Sequence, residues 1–248
     1  MNSTKSNLAN KSKNKKSIFK NNNLSQLFKL ISEKRGYFFL IIMTILFQLS
    51  ITYFVSENVN IKEEEDEDGK KTGDTYFYLA FIAVVVMTLI LSFINMPTWL
   101  KFILFSLIST AYGVLVSYRK FGIDPNIVKS ALVGTGSIFV AMFVFGVALI
   151  ASGIKLGLTF GLSLLFALLF IVFLMIVEFF IFNSPLLTKI IVIGLLMLFS
   201  IGIMFNTNLI LQRDYNIDFI SASLSYYLDI IGVFSSLLNV SELGDLGD

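Results

Sequence analysis

Apolar residues come in long unbroken runs, not in the alternating or one-sided patterns of soluble elements, and short polar segments divide the chain into seven of them. The runs cover residues 37–55, 76–95, 102–117, 127–151, 157–182, 186–206 and 217–240. Most are near the roughly 20 residues that a helix needs to cross a hydrocarbon core about 30 Å thick. The breaks carry turn chemistry: Pro97 with Trp99 after the second run, and Gly122 with Pro125 after the third. This pattern predicts an all-α integral membrane protein, a seven-transmembrane-helix bundle. Its parts are a disordered basic tail over 1–36, a multi-pass helical domain over 37–240 and a short acidic tail over 241–248.

Two runs depart from plain hydrophobicity. The fifth contains Glu178 and is longer than one perpendicular helix requires, so Glu178 to Pro185 is read as an exit loop with the acid near the interface. The last, IDFISASLSYYLDIIGVFSSLLNV, holds Asp229 near its middle. A carboxylate at a bilayer centre costs roughly 2.5–3.5 kcal/mol on insertion scales, so it faces a protein-lined or watery interior and marks a functional site. Ser221, Ser225, Asp229, Gly232 and Ser236 share one helical face, and Ile220, Leu224, Tyr227, Ile231, Phe234 and Leu238 share the opposite one. The bundle is therefore expected to pack around this helix. The alternative is six spans plus a C-terminal re-entrant segment, which would put both termini on one side. In the fourth run, Ser130, Gly134, Ser137 and Ala141 form a small-residue stripe expected to let another helix approach closely.

Composition agrees with a membrane protein and narrows its chemistry. Of 248 residues, 56% are hydrophobic and 15% aromatic, with a mean hydropathy of +0.81. There are no cysteines and no histidines. Disulfides, thiol nucleophiles, imidazole bases and the commonest zinc ligands are thereby absent. Asp229 and Glu178 alone are too few for an acid–base or metal site, so no enzyme and no cofactor is expected.

Charge is distributed unevenly along the chain. Nine Lys/Arg against the single acid Glu33 precede the first span, which predicts a cytoplasmic N-terminus and contact of the lysines with anionic lipid heads. The block EEEDED in 56–75 reads as a solvated non-cytoplasmic loop. The expected partners are the lipid bilayer and other membrane proteins, not nucleic acid. Endoplasmic reticulum, Golgi and plasma membrane are equally compatible with these features.

Several segments resemble the transmembrane Bax inhibitor motif family, its lifeguard-like members above all. SYYLDIIGVFSSLL at 225–238 is similar to that family's closing helix, and FNTNLI at 205–210 resembles its Tyr-Asp-Thr-Gln-Leu-Ile run. PTWLKFILFSLISTAYG at 97–113 and ALVGTGSIF at 131–139 resemble its entries into spans three and four. The resemblance implies a calcium-homeostasis and cell-death-modulating membrane protein, with a calcium leak gated by two acids that share a proton. Asp229 matches the second acid, whereas Asn206 stands at the first. Ser109 stands where lifeguard-like members carry glutamate, and Gly232 where the family has asparagine. An Asn–Asp pair can hydrogen-bond but cannot share a proton as two carboxylates do.

The expected ion-pathway residues are thus Asp229, Asn206, Ser109, Ser225 and Glu178. A second reading keeps the same fold as a non-conducting interaction protein in which Asp229 only holds the bundle together. A secondary transporter would require an inverted repeat, and the sequence carries no convincing one.

Overall fold

The computed structural model describes residues 32–59, 72–182, 184–212 and 218–245. The basic tail before residue 32 with its lysines, the acidic block at 63–68, Arg213 with Asp214, and the last three residues lie outside the described residues. Among the described residues there are seven α-helices: α1 Ser32–Asn58, α2 Thr72–Phe93, α3 Thr98–Lys120, α4 Pro125–Ala151, α5 Leu158–Val177, α6 Pro185–Leu211 and α7 Phe219–Asp245. All seven are long and apolar enough to cross a membrane. α7 runs as one continuous helix, so the re-entrant alternative does not form.

Local chemistry sets the helix ends. The Asp124 side chain accepts from the Asn126 backbone N–H at 2.8 Å, and Pro125 follows as the first helical residue of α4. α4 stops at Gly153, whose φ of +81° carries the left-handed turn. There Ile154 N–H bonds to Leu149 O and Gly153 N–H to Ile150 O, which satisfies carbonyls that the helix end would leave open. The α7 start is capped in the same manner as that of α4, because Asp218 Oδ1 accepts from Ser221 N–H at 2.9 Å.

α7 is the least apolar of the spans and the most buried. Across its apolar stretch 61% of residues are buried, against none in α5, the most apolar span. A helix surrounded by protein can carry polar groups that lipid would reject, whereas one facing lipid needs uniform apolarity. The predicted apolar face of α7 turns inward: Ile220, Leu224, Tyr227 and Ile231 pack with Leu91, Phe105 and Ile108, and Phe234 and Leu238 pack with Val116 and Ala131. α6, α4 and α3 all contact α7, and α1 joins through Phe38, Ile41 and Ile45 against Ile203, Tyr226 and Val233. α5 packs against α6 at the rim.

Ion pairs and long side chains tie the two ends of the bundle. At the end holding the α1 N-terminus, Lys34 Nζ donates to the carbonyls of Ile210 (2.6 Å) and Gln212 (2.9 Å), placing a cation on the C-terminal dipole of α6. Lys101 pairs with Asp218 at 2.7 Å on the same end. At the other end Lys120 pairs with Glu57, and Arg119 donates to Asn239 Oδ1 at 2.7 Å.

Three local expectations differ from the structure. Glu178–Phe182 form a π-helical turn continuing α5, not a loop, because backbone groups in an apolar setting must be bonded within the segment. α6 runs past Asn206 to Leu211 and buries Thr207 and Asn208. In α4 the small-residue stripe holds only at Gly134, where an added Cβ would fall 3.1 Å from Leu237 of α7; Ser130, Ser137 and Ala141 are exposed, and the buried small residues are Ala131, Thr135 and Gly146.

Candidate functional site

Asp229 lies ten residues into α7 and meets α6 at Gly202. A Cβ on Gly202 would fall 2.5 Å from Asp229 Oδ1 and 2.8 Å from Oδ2, so the carboxyl group occupies the space of the missing side chain. Asn206 stands one turn further along α6. Side chains tilt toward the N-terminus of their own helix, and α6 and α7 run antiparallel, so the two groups lean toward each other. Asn206 Nδ2 donates to Asp229 Oδ2 at 2.8 Å. Among the described residues no cation pairs with this carboxylate.

Below Asp229 on α7, toward the end where α1 begins, the polar face continues. Ser225 is half-buried and donates to Ser221 O at 3.2 Å, and Ser221 Oγ donates to Asp218 Oδ2 at 2.8 Å. Burial opposes the Asp218 charge, but bonds from Lys101 and from the Ser221 side chain and backbone, with the Lys101 charge, hold its carboxyl below the ordinary carboxylate value. Polar groups therefore line α7 from Lys101–Asp218 up to Asp229.

Above Asp229 the face is closed. Phe199 of α6 lies on Gly232, where an added Cβ would come within 2.5 Å of the ring. Ser236 is buried beyond that ring. The arrangement is polar on one side of Asp229 and shut by an aromatic ring on the other.

Of the five residues expected from sequence, Asp229, Asn206 and Ser225 lie together. Ser109 does not join them. It is fully buried on α3, and its carbonyl accepts from Thr52 Oγ1 of α1 at 3.0 Å. Thr52 Oγ1 also lies 2.6 Å from Tyr227 Oη. Tyr227 and Asp229 are two residues apart, about 200° around the helix, so Ser109 belongs to a second polar seam on the opposite side of α7. Gln48 and Ser106 share that seam through a 3.2 Å hydrogen bond. Glu178 is also remote: its Oε1 accepts from Thr188 Oγ1 at 2.8 Å near the start of α6. Thr188 is roughly 21 Å along that helix from Gly202.

Sequence reasoning missed three contributors. Gly202 and Phe199 sit in a featureless apolar run and become visible only when α6 is set against α7. Asn208 was seen only as part of the FNTNLI segment. Its Oδ1 accepts from Leu156 N–H at 2.8 Å and its Nδ2 donates to Ile154 O at 3.0 Å, which anchors the α4–α5 connection to α6.

No curated protein matches the chain. A family model described as "Inhibitor of apoptosis-promoting Bax1" matches residues 31–245, a stretch that takes in all seven helices and both members of the Asn206–Asp229 pair, and the chain therefore belongs to the Bax inhibitor family.

Proposed function

We propose that this Bax inhibitor-type membrane protein modulates calcium homeostasis and cell death by passing cations, calcium foremost, along the polar face of α7. In this reading the N-terminus is cytoplasmic, Asp229 attracts the ion, Asn206 holds the carboxylate while the site is empty, and Phe199 over Gly232 is the closed gate. It involves no catalytic step.

The supporting observation is a carboxylate in mid-span whose hydrogen-bond donor is the neutral Asn206. An interhelical hydrogen bond in a membrane contributes about 0.6 kcal/mol. The charge itself costs about 2.5–3.5 kcal/mol at the centre. The difference is met by a proton or by positive charge, and a passing cation supplies the second. With one carboxylate at the contact, a pH response would titrate as a single proton and not as a coupled pair.

Purified protein in liposomes loaded with a calcium dye, compared with Asp229→Asn at alkaline and mildly acidic pH, tests this. A leak that the substitution removes is the expected result. Folded wild-type protein without a leak would overturn it and favour the second reading, a non-conducting interaction protein. That reading draws support from the tight seat of the carboxylate against Gly202 and of Phe199 on Gly232.

A further inference from the structure

A concavity lies on a different side of α7 from Asp229. α1 and α4 touch where Phe38 stands edge-on to Phe143, with ring centroids 5.8 Å apart. Beyond that contact a groove of about 800 Å³ opens between them, floored by Ile230 and Phe234 of α7 and walled by Ile42 and Leu46 of α1 and Leu132 of α4. Its size falls within the roughly 300–1,000 Å³ of sites that bind small molecules. Asp229 is not among its lining residues.

One feature sets this groove apart from ordinary lipid-facing surface, the charge at its mouth. Gly136 lines its α4 wall, and a Cβ added there would meet nothing within 4 Å, so a large side chain at this position would project into open space. Its mouth is formed by the ion pair of Lys120 with Glu57, and Lys120 Nζ also reaches Ser56 Oγ at 3.3 Å. The side chains of Lys120 and Glu57 keep 19% and 50% of their surface exposed, so both can accept another partner. From Glu57 back to Ile42 the groove follows α1 for about 22 Å. That exceeds the roughly 15 Å of half a hydrocarbon core.

We propose that the groove holds one acyl chain of a zwitterionic glycerophospholipid whose phosphate rests on Lys120 and whose primary ammonium rests on Glu57. The apolar walls match the chain, and the charge pair at the mouth is complementary to a headgroup carrying both signs. The phosphate takes the one donor of the Lys120 ammonium that Glu57 and Ser56 leave open, and the carboxylate of Glu57 accepts from the lipid amine. An anionic headgroup lacking an amine meets Lys120 equally well but leaves Glu57 facing like charge. A quaternary amine supplies charge but no N–H, and falls between the two.

Full-length protein taken from vesicles of equal parts phosphatidylethanolamine, phosphatidylcholine and phosphatidylglycerol, and analysed by native mass spectrometry, tests the assignment. One retained phosphatidylethanolamine, several-fold over phosphatidylglycerol, is expected. Gly136→Trp, which projects into the groove, should cut that retention about tenfold, the equivalent of about 1.4 kcal/mol. Glu57→Gln, at a half-exposed side chain, should abolish the preference over phosphatidylglycerol while leaving lipid bound, and it decides the matter if Gly136→Trp does not fold. Equal retention of the three lipids by the wild type, or undiminished retention by folded Gly136→Trp, would overturn the proposal and leave annular contact only.

Discussion

Gly202 of α6 and Asp229 of α7 occupy one another's space: the carboxyl group sits where a side chain on residue 202 would begin, with Oδ1 2.5 Å from the absent Cβ. The closeness of the two helices at mid-membrane and the placement of the acid are therefore one feature. Gly202→Ala should push the carboxylate off Asn206 and separate the helices. The expected loss is about 1–3 kcal/mol, the usual cost of overpacking, read as a lowered midpoint of thermal unfolding in detergent. An unchanged midpoint would mean that α7 shifts without resistance.

Phe199 is a gate only if removing it matters to flux. Phe199→Ala should raise the calcium leak in dye-loaded liposomes roughly tenfold, the effect of about 1.4 kcal/mol off a barrier. Adding Asp229→Asn should remove the gain. A leak that rises and ignores the second substitution would show water-filled disorder in place of an opened path.

The Lys101–Asp218 pair gives a pH dependence with a definite sign. Asp218 is held below its ordinary value in the folded state, chiefly against burial by the bond from Lys101. A carboxylate with a lowered folded value stabilises the fold above its unfolded value, about 3.9, and that stability is lost as pH falls through the folded value. Asp218→Asn keeps a competent cap for α7 and removes only the charge. It should unfold at a lower temperature than wild type at neutral pH, and the difference should close at acid pH below both values.

The seam around Tyr227 separates bonded from unbonded polar atoms. Tyr227→Phe removes the hydroxyl that lies 2.6 Å from Thr52 Oγ1 and should cost about 0.5–1.5 kcal/mol. Ser109→Ala removes a buried Oγ that makes no hydrogen bond of good geometry among the described residues, with Tyr227 as its polar neighbour, and should change stability by less than about 0.5 kcal/mol. Chemical denaturation of the two variants in the same detergent checks the contrast.

The seven spans and the central place of α7 were legible because both follow from local sequence: length of apolar run, and an acid that lipid would reject. The partition of the site was half legible. That Tyr227 and Asp229 point to opposite sides of α7 follows from helical geometry alone, and with it the separation of Ser109 from the Asp229 face could have been anticipated once Tyr227 was placed against α3. The extension of α6 past Asn206 was hidden, because Asn208 looks like a surface residue until its partners Ile154 and Leu156, more than 50 positions earlier, are brought beside it. Gly202 and Phe199 carry no sequence signal at all; their roles exist only in the pairing of two helices.

The inward position of the least apolar helix bears on how the protein is made. α7 carries a penalty at its centre that a lone segment leaving the translocation channel would have to bear in full. Its partners α1, α3, α4 and α6 all precede it in the chain. Asn206, Thr207 and Thr52, which bond Asp229, Tyr226 and Tyr227, are all synthesised before α7. Order of synthesis thus lets the chain contain a helix that enters a prepared protein slot and not bare lipid.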